Sequence, residues 1–180
     1  MKRILVLVVL CVLVNESSTF AQYFQHVQMP GSVEYSSVGG IAEDKDGRFW
    51  LLSGSEVRCY DGVSVRMYSD KIMDVTPQYT TYTHCLLTRS GDLYLASNNG
   101  MFIYEPERDN FKKVLPFYVR HIYEDASSRL WIAHGEVSCY NPESDECMPV
   151  MMGDKPVLGQ VFTNVNCPYV FIVTDDGILQ

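Results

Sequence analysis

Two carboxylate pairs in this chain have residue types that could do chemistry: Glu43-Asp44 in "IAEDKDGRFWLL" and Glu124-Asp125 in "IYEDASSRLWIA". Two carboxyl groups converging on one cleft can share general acid and base work. Here each pair stands at the same place in a repeated line, beside turn-forming residues. Asp44 can accept backbone amides ahead of it, and Gly47 can take positive φ without penalty. That placement predicts turn capping. It also departs from the S-x-D-x-G-x-x-W box of sialidase-type repeats, because the aspartates of "EDKDG" lie one and three residues before the glycine.

The other reactive types are dispersed. His26, His84, His121 and His134 form neither H-E-x-x-H nor H-x-H, so metal ligation is not expected. Beyond an N-terminal leader the cysteines are Cys59, Cys85, Cys139, Cys147 and Cys167, with no C-x-x-C among them. Most read as small buried hydrophobes. Cys139 and Cys147 flank the turn "YNPESDE" and could face each other across a hairpin as a disulfide. There is no G-x-S-x-G and no phosphate-cradling glycine loop. The sequence therefore offers no catalytic residue, no metal ligand and no cofactor site.

The elements that must position these residues come from a repeat. Units begin at Ile41, Cys85, Ile122 and Val161, a period of about 40 residues. Each carries an aromatic or its substitute at one position: Trp50, Tyr94, Trp131 and Val170. Within the first unit, "GGIAED", "RFWLLS", "EVRCY" and "SVRMY" are short apolar or alternating runs separated by turn residues. No helical period occurs. Four short strands per unit at this spacing predict an all-β fold, a partial β-propeller of about three complete four-stranded blades and part of a fourth. The blades are expected near 38–68, 82–114, 119–150 and 158–180, with the recurring aromatics in the core between blades. "YFQHVQ", Tyr23–Gln28, is expected to be a strand lent to a closing blade.

The first 21 residues have a basic start at Lys2 and Arg3, an apolar run Ile4–Val14 and the small residues Thr19 and Ala21 at the minus-three and minus-one positions of a cleavage after Ala21. This is the pattern of a secretory signal peptide, and the run is too short to span a bilayer as a helix. The chain carries 14 Lys+Arg against 22 Asp+Glu, net −8, and loss of the leader makes it more negative. Nucleic acid and bare anionic membrane are unsuitable partners for such a chain.

With these residues laid out, "FQHVQMPGSVEYSSVGGIAEDKDGRFWLLSGSEVRCYDGVSVRMY" resembles the opening blade of the two-component regulator propeller family. The shared features are the E-D pair, a glycine, an aromatic and a Y-D or Y-N turn at fixed offsets, over about residues 22–180. The family's Gly-Thr after the tryptophan reads Leu52-Ser53, Ala96-Ser97 and Ala133-His134 here, and Ser128 replaces the turn glycine. The resemblance implies the periplasmic sensor region of a hybrid histidine kinase. A β-sandwich, a membrane helix and a kinase core would then lie downstream, tethering the exported segment to the inner membrane.

If the chain forms blades, one rim gathers the turns at Ser53–Ser55, Asn98-Asn99, His134-Gly135 and Asp175-Asp176, together with the long link Ser69–His84. Tyr79, Tyr82, Asn98, Asn99, His134, Asp175 and Asp176 are the candidate ligand-binding residues. Hydroxyls need hydrogen bonds and a sugar's C–H face stacks on an aromatic, so the mixture suits an oligosaccharide or other small ligand. The alternative is a solvated rim with no ligand. Two functions follow: a non-enzymatic sensor of a glycan-derived ligand, or a freestanding exported propeller lyase or hydrolase. Ending at Gln180 reads as a fragment or a truncated remnant. Partners would be neighbouring blades of the same receptor or a second copy in a homodimer. Apolar faces carrying Phe49, Leu51, Phe171 and Val173 are expected to be exposed and to favour association.

Overall fold

The structure is a computed structural model that describes residues 38–69, 72, 79–163 and 165–180. The expected leader and the expected strand at Tyr23–Gln28 lie outside these residues. The described chain is all-β, with helical structure confined to short 3-10 turns such as Pro106–Arg108. No helix among the described residues is long and apolar enough to cross a membrane.

Sheet one comprises β1 (Gly40–Glu43), β2 (Phe49–Ser53), β3 (Glu56–Tyr60) and β4 (Val65–Met67). Sheet two comprises β5 (Tyr82–Leu87), β6 (Leu93–Ser97), β7 (Gly100–Glu105) and β8 (Asn110–Leu115). Sheet three comprises β9 (His121–Glu124), β10 (Leu130–Ala133), β11 (Val137–Asn141) and β12 (Glu146–Pro149). A small hairpin of β13 (Met151–Met152) and β14 (Lys155–Pro156) leads to a three-stranded sheet four: β15 (Gln160–Phe162), β16 (Phe171–Thr174) and β17 (Gly177–Leu179). Within every sheet, strands pair antiparallel in chain order. The first strands of successive sheets lie side by side, β1 against β5 and β5 against β9.

The repeat is visible in the register. Ala42 pairs with Trp50, Leu86 with Tyr94 and Tyr123 with Trp131. In sheet four the equivalent pair is Phe162 with Phe171. The aromatic position expected at Val170 is thus held by Phe171, because the loop of the fourth unit is one residue longer. Trp50 and Tyr94 are fully buried. Sheets two and three each lend one face to the sheet before and one to the sheet after. Trp50, Leu52 and Val57 meet Leu95 and Phe102 in the first core. Tyr94 and Met101 meet Ile122 and Ile132 in the second, and Trp131 and Val137 meet Val161 and Ile172 in the third.

The apolar faces differ from expectation at one residue. Phe49 and Val173 are exposed at 37% and 40%, and Phe171 is half-buried, but Leu51 is buried at 6%. Leu51 pairs across the ladder with Arg58, which is itself buried at 7%.

The E-D turns show why the repeat is written as it is. Asp44 Oδ1 accepts the amides of Asp46 and Arg48, each at 3.0 Å. Its Oδ2 accepts Arg48 Nε at 2.7 Å and Trp50 Nε1 at 2.8 Å. Asp125 repeats this atom for atom with Ser127, Arg129 and Trp131, at 2.8–3.0 Å. In the second unit the aromatic is Tyr94, which has no ring N–H at that place, and the aspartate becomes Thr88, whose hydroxyl accepts the Asp92 amide at 3.0 Å. The turn closes on positive φ at Gly47 (75°) and, in the unit without glycine, at Ser128 (61°).

Candidate functional site

Asp44, Glu124 and Asp125 are consumed by this architecture, whereas Glu43 is exposed at the end of β1. Asp44 and Asp125 each hold a turn and a tryptophan. Burial raises each carboxyl, but the tryptophan N–H and the amide and arginine donors outweigh it and keep both below the ordinary aspartate range. Glu124 is buried and accepts Arg89 N at 2.8 Å and Arg89 Nε at 3.3 Å, while Arg89 Nη2 donates to the carbonyls of Asp125 and Ala126. Arg89 therefore clamps the turn of sheet two to that of sheet three. A cleft of about 470 Å³ lies at this end and is lined by Thr88, Asp92, Glu124, Arg129 and Asn141. Thr88 and Asp92 bond each other, Arg129 is held by Asp125, Glu124 by Arg89, and Asn141 Oδ1 accepts Glu143 N, so this cleft is a seam between turns.

The opposite end, where the β2–β3, β6–β7 and β10–β11 turns gather, carries the residues singled out in the sequence. Asn98 is a staple: its Oδ1 accepts Thr81 N at 2.9 Å and its Nδ2 donates to the Tyr79 carbonyl at 2.9 Å. Asn99 Nδ2 donates to Thr80 Oγ1 at 2.8 Å. The Tyr79 ring is 72% exposed above this knot. Tyr82 does not join it. As the first residue of β5 it is 2% exposed and packs near Phe102 in the first core, which corrects its placement among ligand-facing residues. His134 sits beside Phe117, ring centroids 4.9 Å apart, with Nε2 2.9 Å from Ser138 Oγ. Asp175 lines a cleft of about 410 Å³ between sheets three and four, with Arg120, His121, Gln160 and Thr174. Asp176 is exposed in the β16–β17 turn, outside that lining. The candidates thus form three groups on one rim.

The Cys139–Cys147 bridge is not formed; both thiols are free. The register explains it. Cys139 pairs with Met148 and Cys147 with Tyr140, so the two side chains leave opposite faces of the sheet. Cys147 packs against the second core, whereas Cys139 shares its face with Trp131. Burial raises both thiols, so neither is primed as a thiolate.

A further constellation was not among the sequence candidates. His84 and His121 occupy the same position in consecutive units, each just before the unit's first residue. Strands β5 and β9 bring their rings to 5.5 Å between centroids, at 74°. Tyr123 follows on the same side of β9, 6.0 Å from His84 and 6.1 Å from His121. All three are half-buried. His84 Nδ1 accepts the Ile122 amide at 3.4 Å. Burial, and then the charge of His121, lower His84 to about 4. His121 is lowered by burial and then by the Arg120 charge. His84 and Tyr123 line a second cleft of about 410 Å³ with Ile41, Glu43, Glu124 and Thr163. His121 lines the cleft that holds Asp175. Scanning for ligand spacing within a short window misses this pair, because the relevant spacing is one repeat. No group of three or more metal-ligating side chains occurs among the described residues.

No protein-family model matches the chain, and no curated protein matches it in sequence. Solved structures do match in shape. The extracellular domain of BT4673 from B. thetaiotaomicron, assigned to a one-component or hybrid two-component system, superposes with a TM-score of 0.65 at 18% identity, over 84% of this chain and 22% of its own. The extracellular domain of the hybrid two-component system BT3049 from the same organism gives 0.60 at 13% identity, over 85% and 26%. Virginiamycin B lyase from Staphylococcus aureus gives 0.54 at 12% identity, over 81% and 55%. The chain thus spans about a fifth to a quarter of the length of the two extracellular domains. At these identities the likeness is one of fold, and the fold it shares is that of the repeated antiparallel β-sheets found in these extracellular domains and in the lyase.

Proposed function

We propose that this chain is an exported ligand-sensing segment of a hybrid two-component system. Its sheets serve as blades of a β-propeller, and the ligand is a glycan-derived oligosaccharide. The chain recognises and does not transform. The supporting observation is the combination of shape and occupancy. The sheets superpose on extracellular domains of two-component systems, while the paired aspartates Asp44 and Asp125 are tied up in turns. The rim holding Tyr79, His134 and Asp175, with the two clefts beside His84 and His121, is the recognition surface. Export behind the leader at 1–21, tethering through a downstream membrane helix and pairing with a second copy belong to this reading.

A lyase reading draws on the virginiamycin B lyase likeness. It needs a base and an acid converging on one cleft, and His84 and His121 are the nearest pair to that description. One experiment separates the readings. The full chain is incubated with a panel of plant and host polysaccharide digests, and both saturable binding by calorimetry and product formation are followed. The sensor reading expects binding with no new reducing ends and no new unsaturated products. Turnover would replace it with the enzymatic reading, and absence of binding to any digest would overturn the choice of ligand.

A further inference from the structure

The repeat requires a strand residue just before each unit's first residue but does not require an imidazole there. Gly40, His84, His121 and Gln160 fill that position in turn. The two imidazoles fall on neighbouring first strands, and Tyr123 completes a three-ring cluster whose centroids all lie within 5.5–6.1 Å. Two clefts of about 410 Å³ each meet the cluster, one at His84 and Tyr123 and the other at His121. Tyr123 packs partly against the third core, and all three rings stay half-buried where the two clefts meet them.

The chemistry on offer is specific. An uncharged imidazole carries one donor and one acceptor, which matches a sugar hydroxyl. With Nδ1 accepting the Ile122 amide, His84 presents its N–H from Nε2. A phenol ring gives an apolar face with a polar tip, suited to the C–H face of a pyranose. The formal charges around the cluster are Glu43 and Glu124 in one cleft and Arg120 and Asp175 in the other. Glu124 is already paired with Arg89, and among the described residues lining the two clefts Arg120 is the one cation, in the cleft of Asp175 and not in that of Glu43, in a chain of net charge −8. Neutral imidazoles add no positive charge to that balance.

We infer that His84, His121 and Tyr123 form a subsite for one uncharged pyranose ring, stacked on Tyr123 and hydrogen-bonded to the two imidazoles, and that it discriminates against carboxylate-bearing sugars. This inference rests on the glycan-sensor reading and names the class of sugar. A uronate whose carboxylate entered the Tyr123 cleft would meet Glu43 with no Lys or Arg among the described residues lining that cleft.

The test is calorimetric titration of the full chain with two sets of probes. Hexasaccharides of β-linked glucose, mannose and xylose and a galactan tetrasaccharide form the uncharged set; oligogalacturonates of matching length form the charged set. At least one uncharged probe should bind, about tenfold or more tighter than its charged counterpart. His121→Ala and Tyr123→Leu should each weaken that binding about tenfold, whereas Tyr123→Trp should retain it and Glu143→Ala, on the opposite rim, should leave it unchanged. Melting curves verify that each variant is folded, with His121→Gln replacing His121→Ala should the latter unfold. Equal or tighter binding of the oligogalacturonates, or uncharged-probe binding that survives both His121 and Tyr123 substitutions, would overturn the subsite while leaving the sensor reading intact. Binding of neither set would overturn the subsite together with the choice of a glycan as ligand.

Discussion

Trp50 donates its indole N–H to the Asp44 carboxylate at 2.8 Å, and Trp131 and Asp125 reproduce the bond at 2.9 Å. Each aspartate also receives two backbone amides and an arginine Nε. Replacing it with alanine strands an indole N–H in the core together with amides of a tight turn. Asp44→Ala should therefore lower stability by about 3 kcal/mol, toward the upper end for loss of a buried multi-donor acceptor. Trp50→Phe should also destabilise, since it leaves the carboxylate a donor short. Urea unfolding followed by tryptophan fluorescence provides the measurement, and a change below about 1 kcal/mol for Asp44→Ala would show that the turn holds without its cap.

The same carboxylates set an acid limit. Asp44 and Asp125 titrate below the ordinary value of 3.8 in the folded chain, because tryptophan, amide and arginine donors outweigh the burial that raises them. Their folded-state proton affinity is lower than in the unfolded chain. The contribution is therefore fully present above about pH 4 and is lost as pH falls through the folded value. The wild-type midpoint should drop steeply below about pH 4, and the Asp44→Asn, Asp125→Asn double variant should show a flatter acid limb.

Asp109 joins sheets one and two. Its Oδ1 accepts Tyr68 Oη at 2.5 Å from the end of sheet one and Tyr104 Oη at 2.8 Å from its own sheet. Tyr140 and Asp145 repeat the second of these bonds at 2.8 Å. Asp109 and Asp145 both hold positive φ, at 49° and 56°. Asp109→Ala should cost about 2 kcal/mol and loosen the first core, read as faster amide exchange in β3 and β7.

Ser128 occupies the left-handed region at φ 61°, where sister turns use Gly47 and Gly91. An L residue there is strained by about 1 kcal/mol. Ser128→Gly relieves that strain, loses a 3.1 Å acceptor for Arg89 Nη2 and increases unfolded-state freedom. The net expectation is a gain of about 0.5 kcal/mol, visible as a small upward shift of the melting temperature. A loss of more than about 1 kcal/mol would mean that the Arg89 contact outweighs the backbone strain.

The repeat, its strands and the turn role of the E-D pairs were legible because each depends on residues close in sequence: the alternation of "EVRCY", the glycine of "DKDG", the carboxylate just ahead of it. What was not legible depends on register. A single added residue in the fourth loop moved the aromatic place from Val170 to Phe171. A one-residue offset put Cys139 and Cys147 on opposite faces instead of opposite each other. Tyr82, read as part of a link, begins a strand and enters the core. His84 and His121 look unrelated along the chain and become neighbours only when one repeat is laid beside the next.

The most direct measurement of the account is the imidazole 1H–15N spectrum of the full chain during titration with an uncharged oligosaccharide that binds by calorimetry. The account predicts that the His84 and His121 ring signals shift together and saturate at the calorimetric midpoint, while the glycan is recovered intact. Saturable binding that leaves both rings unmoved, or conversion of the glycan during the titration, would contradict it.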